Sequence, residues 1–112
     1  MANLSILLAI LAATNGALGA VVTVCTDKNY GGRCQSWESA HGSCVTFLAA
    51  PVWDKKASSI YMGPAGNPNK CYIYDGWNCD KTQGGPITAG GPISDLGQHT
   101  WNDRISSFKC VD

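Results

Sequence analysis

Short runs alternating apolar and polar residues recur along the chain, and none keeps a helical period. The β-branched run Val21-Val22-Thr23-Val24-Cys25 predicts an opening strand. Turn residues at Asp27-Lys28-Asn29 and Gly31-Gly32 bracket Tyr30, and Cys34 to Trp37 resumes as a strand. Cys44 to Leu48 and Ser59 to Met62 are the next two strands. A Gly/Pro/Asn stretch, Gly63 to Asn69, then separates two halves. The second half reads as a strand at Cys71 to Tyr74 and a turn at Asp75 to Asn78. A flexible loop follows from Gly84 to Gly91 around Pro86, then a weak strand at Ile93 to Leu96 and a final one at Ile105 to Val111. The expected architecture is all-β, two four-strand units packed as a sandwich.

The halves also share a segment. Trp53-Asp54-Lys55-Lys56-Ala57-Ser58-Ser59-Ile60 recurs about fifty residues later as Trp101-Asn102-Asp103-Arg104-Ile105-Ser106-Ser107-Phe108. The Trp, the Ser pair and the apolar residue after it keep one spacing, with carboxylate or amide groups just after the Trp. Two similar units with oxygen-rich turns point to a hard-cation site at their junction.

Residues 1–20 read as a leader outside the fold. Leu4 to Ala13 is apolar but too short to span a bilayer, and Ala17, Gly19 and Ala20 supply the small residues of a cleavage site. The mature chain, residues 21–112, is then one domain of roughly 92 residues and extracellular. Its six cysteines, Cys25, Cys34, Cys44, Cys71, Cys79 and Cys110, read as a disulfide framework that supplements a small core. No close Cys pair suits zinc.

Charge narrows the partners. Eight basic residues balance eight acidic ones, and the sole basic cluster is Lys55-Lys56, so nucleic acid has little to hold. No amphipathic helix suits a membrane surface, and no later segment is apolar enough to cross one. The chain is expected not to be an enzyme: no nucleophile elbow is present, and His41 and His99 read as loop residues. Trp53, Trp101, Tyr61, Tyr72 and Tyr74 read as core. Trp77 sits in a polar turn, where an exposed tryptophan is a candidate contact for sugar or protein.

A strand ending at Cys25, then Thr26-Asp27-Lys28-Asn29-Tyr30-Gly31-Gly32, resembles the βγ-crystallin hairpin. That pattern wants an aromatic, a glycine two positions on and a serine near the end of the unit; Tyr30, Gly32 and Ser58 fit it. The second unit departs from it, with Cys79 at the aromatic position and Lys81 at the glycine. Its closing arm, Asn102-Asp103-Arg104-Ile105-Ser106-Ser107, matches the family's calcium signature throughout. The resemblance covers the mature chain and implies two Greek-key motifs, about 21–62 and 71–112, in a disulfide-stapled βγ-crystallin-like sandwich.

It also implies that facing arms share two calcium sites. One joins Asp103 to Ser58, with carbonyls of arm and hairpin; the other joins Ser106 to the second position of the first arm, which is Lys55. An ammonium repels a divalent cation, so one weak site is expected to work, with a dissociation constant on the order of 10⁻⁴–10⁻³ M. Asp54 and Asn102, at the first arm positions, orient the loops. The candidate metal residues are therefore Asp103, Ser58, Ser106, Asn102 and Asp54, with none catalytic. Antiparallel first and last strands of the second unit bring Cys71 to Cys110; the other four cysteines allow three pairings.

The expected function is a calcium-stabilised, monomeric structural module of a microbial, fungal secretome, its partners calcium and an extracellular protein or cell-wall target. The second reading is a secreted effector: a killer-toxin-like or antimicrobial protein, or a protease inhibitor.

Overall fold

A computed structural model describes residues 19–63 and 68–112. The leader expected over residues 1–20 lies outside the described residues as far as residue 18, and so does most of the Gly/Pro/Asn stretch, residues 64–67. Among the described residues seven strands form: β1 (Ala20–Cys25), β2 (Cys34–Ser39), β3 (Cys44–Thr46), β4 (Ser59–Met62), β5 (Lys70–Tyr74), β6 (Gln83–Thr88) and β7 (Ser107–Val111). They make a three-stranded sheet, β2-β1-β4, and a four-stranded sheet, β3-β7-β5-β6, with antiparallel pairing throughout.

The β-branched run at the start becomes the centre of its sheet, where Val22 and Val24 are fully buried. β3 belongs to the first unit but pairs with β7 of the second, Val45 opposite Phe108. The reciprocal exchange shrinks to one bridge, Ile93 opposite Ile60. The core between the sheets is Phe47, Phe108, Ile60, Ile73, Ile87, Leu96 and Ile105, all fully buried. Phe47 and Phe108 meet across the two units with ring centroids 6.2 Å apart.

Three strand expectations change. Gly84 to Gly91 is not a loop: Gln83–Thr88 is an edge strand. An edge tolerates the N–H that Pro86 lacks. Gly84 is fixed there because the Trp101 ring lies where a Cβ would stand, 2.5 Å away. The strand expected at Cys44 to Leu48 stops at Thr46, whose side chain accepts from Leu48 N and turns the chain into a 3₁₀ segment. Ile93 to Leu96 keeps only its bridge, because Asp95 accepts from Gly97 N and caps a 3₁₀ turn at Leu96–His99.

Tyr61, expected in the core, is 38% exposed because it alternates outward between buried Ile60 and Met62. Three disulfides staple the fold: Cys71–Cys110, as expected, with Cys25–Cys34 and Cys44–Cys79. The first two join directly opposed residues of neighbouring strands. The third ties β3 of the first unit to the hairpin of the second.

Candidate metal centre

The two repeated arms face each other across a pseudo-two-fold axis. Lys55 N donates to Ile105 O at 2.9 Å, and Asp103 N donates to Ala57 O at 3.0 Å, each from the second arm position to the fourth position of the other arm. Lys55 and Asp103 both adopt the left-handed conformation, at φ 56° and 57°. Ser58 N donates to Cys25 O, and Ser106 N donates to Tyr74 O, so each arm is laced to the strand that enters its own hairpin.

The last serine of each arm locks the hairpin. Ser59 Oγ accepts from Tyr30 N at 3.0 Å and donates to Asp27 O at 2.7 Å. Ser107 Oγ accepts from Cys79 N at 2.9 Å and donates to Gly76 O. Ser59, rather than the neighbouring Ser58 picked from the pattern, therefore closes the first hairpin. Ser58 is half-buried and takes no part in that lock. The second hairpin keeps the fold of the first despite its residues: Cys79 and Lys81 take φ 53° and 68°, where Tyr30 and Gly32 take 61° and 72°. Cys79 is held by Ser107 and by its disulfide to Cys44.

The symmetry defines two seats at the junction, and their contents differ. In one, Lys55 Nζ donates to Ser106 Oγ at 3.0 Å and to Asp75 O at 3.1 Å. An arm hydroxyl and a hairpin carbonyl thus hold a cation that the chain itself supplies. In the other, the corresponding residues are Asp103, Ser58 and Thr26. Thr26 matches Asp75 in its bonds: Thr26 N donates to Arg33 O as Asp75 N does to Thr82 O, and both side chains accept from that same partner's N–H. A carboxylate, a hydroxyl and a carbonyl are hard oxygen donors without a positive charge among them, the donor type of a calcium site and part of the six to eight oxygens such an ion takes. The Lys55 seat does not fit, since a divalent ion would have to displace an ammonium.

The remaining candidate residues stand around these seats. Asp54 Oδ1 accepts from Trp77 Nε1 at 3.0 Å and so ties the first arm to the second hairpin. Asn102 is exposed beside Asp103. Sequence reasoning missed Asp75 and Arg104. Arg104 Nη2 pairs with Asp75 Oδ2 at 3.0 Å, and its guanidinium lies 4.4 Å from the Trp101 ring centroid. Its hydrogen bond to Asp75, with that of Thr82 N, holds the Asp75 carboxyl below the usual range. Arg104 occupies an unconstrained position of the calcium signature, so no sequence signal marked it.

The overall arrangement of the strands has counterparts among solved structures. The fold is that of the βγ-crystallin domains. A βγ-crystallin from Ciona intestinalis superposes with a TM-score of 0.62 at 19% identity, covering 80% of this chain and 98% of its own. A βγ-crystallin domain from Flavobacterium johnsoniae gives 0.61 at 22%, covering 80% and 92%. One from Clostridium beijerinckii gives 0.61 at 21%, covering 81% and 97%. Identities this low establish the shared fold. No protein-family model matches the sequence, and neither does any curated protein.

Proposed function

We propose that this is a secreted, non-enzymatic structural protein of βγ-crystallin fold that binds one calcium ion to rigidify its two-motif junction. The asymmetry between the seats carries the proposal: Lys55 Nζ fills one, 3.0 Å from Ser106 Oγ, while its symmetry mate offers Asp103 and Ser58. Asp103 supplies the carboxylate, Ser58 the hydroxyl and Thr26 the carbonyl, and calcium when bound neutralises the carboxylate and draws these oxygens together. Ser59 and the Asp103 N–H to Ala57 O bond keep hairpin and arm in place for it. Secretion rests on the apolar leader and the six cysteines.

Thermal unfolding of the EGTA-treated protein, with and without calcium, tests this. With dissociation constants of about 10⁻⁴–10⁻³ M, 10 mM calcium adds about 1.4 to 2.7 kcal/mol. That raises Tm by roughly 6 to 20 °C in a domain of this size. Asp103→Ala abolishes the rise. An unchanged Tm in the parent protein would leave the arms as structural turns. N-terminal analysis of protein from the culture medium tests secretion, and an uncleaved, cell-retained chain would oppose it.

A further inference from the structure

The same pseudo-symmetry exposes a second difference between the motifs, remote in chemistry from calcium. Trp53 and Trp101 occupy equivalent places and are 5% and 7% exposed. In the first motif the Trp53 indole N–H donates to Gln35 Oε1 at 3.1 Å, and Trp37 packs edge-on at 5.6 Å. Strand register identifies the counterparts: Val24 opposes Gln35 as Ile73 opposes Gly84, and Val22 opposes Trp37 as Cys71 opposes Ile87. The second motif thus has Gly84 for the glutamine and Ile87 for the tryptophan.

The Arg104 guanidinium still lies over the Trp101 ring, 4.4 Å from its centroid, but neither the acceptor nor the edge-on ring of the first motif has a counterpart. Trp101 Nε1 lies against Gly84 and has no hydrogen-bond acceptor among the described residues. Beside it opens a cavity of about 490 Å³ lined by Ile73, Gly84, Pro86, Pro92, Ile93 and His99 along with Trp101. A buried donor without an acceptor is costly. A ligand that brings the acceptor removes the cost.

We propose that this cavity is a binding site for a neutral N-acetylated sugar, whose amide carbonyl accepts from the Trp101 indole as Gln35 does for Trp53. The acetamido methyl faces Ile73 and Ile93, the ring lies along Pro86 and Pro92, and His99, exposed at the rim, meets a hydroxyl. The lining carries no carboxylate, lysine or arginine, which suits an uncharged ligand. The volume accommodates a disaccharide. A peptide amide shares the carbonyl, but Pro86 removes a donor from the β6 edge that an added peptide strand would use.

Titration followed by the indole ¹⁵N–H resonances tests the site, with the Trp101 signal assigned from its contacts to Gly84. N,N′-diacetylchitobiose shifts Trp101 and leaves Trp53 unmoved, whereas cellobiose, which lacks the acetamido group, shifts neither. Trp101→Phe keeps an aromatic ring but loses the donor and, followed by the backbone amides of Gly84 and His99, weakens binding about tenfold or more. If that variant fails to fold, His99→Ala on the exposed rim serves instead, with weaker binding and an unchanged amide spectrum. No shift at any concentration up to about 10 mM, or equal shifts from cellobiose, overturns the proposal. A response confined to an N-acetylated dipeptide amide overturns it in favour of a peptide site.

Discussion

Lys55 Nζ stands 3.0 Å from Ser106 Oγ, so one end of the pseudo-two-fold junction already holds a positive charge fixed to the backbone. The other end has a carboxylate where that lysine stands. A single substitution at Lys55 therefore changes both stability and the number of ions bound.

Lys55→Met removes two donated hydrogen bonds while keeping the aliphatic stem. Ser106, only 1% exposed, loses its ammonium partner. Because Lys55 itself is exposed, the expected loss in calcium-free buffer is about 1 kcal/mol. Denaturant unfolding in EGTA measures it, and an unchanged midpoint would mean the contact contributes nothing. Lys55→Asp completes an acceptor set like that at Asp103, and a second calcium equivalent is the expected gain.

Ser59→Ala and Ser107→Ala should each be among the costlier hydroxyl deletions in the domain. Both serines are fully buried, and each bridges a hairpin N–H and a carbonyl. Stranding such groups costs about 1–3 kcal/mol. Ser58→Ala, half-buried, should leave calcium-free stability within roughly 0.5 kcal/mol and act on ion binding instead. Paired denaturation curves in EGTA separate the two classes.

The disulfides differ in the loop they close. Cys44–Cys79 spans a sequence separation of 35 and Cys25–Cys34 one of 9. Chain entropy assigns the longer loop about 1 kcal/mol more stabilisation. Replacing Cys44 and Cys79 by serine should therefore lower Tm more than replacing Cys25 and Cys34, and the reverse order would refute the ranking.

Acid should loosen the second hairpin. The Asp75 carboxyl is held below its ordinary value in the fold, chiefly by Arg104 and then by Thr82 N. Such a group contributes stability fully above the unfolded pKa of about 3.9 and loses it as pH falls through the folded value. Asp75→Asn flattens the stability profile below pH 4. A parallel profile would assign the acid limb elsewhere.

Much of the fold was legible because its signals are local. The β-branched run at β1, the turn residues around Tyr30 and the repeated Trp-to-Ser-Ser arms each act over a few residues. β6 was not, since Gly84 and Pro86 oppose a strand locally and become one only at a sheet edge against Trp101. Asp103, Ser58 and the misfit of Lys55 were expectations drawn from the arms' resemblance to the βγ-crystallin calcium signature. That Lys55 reaches Ser106 and Asp75 O depends on how two distant turns meet. The exchange of Gln35 for Gly84 needed strand register to be seen at all.

Calorimetric titration of the EGTA-treated parent protein with calcium counts the ions that the junction holds. One ion per chain is expected, with binding lost in Asp103→Ala. Two ions per chain, none, or binding undiminished in Asp103→Ala would contradict it.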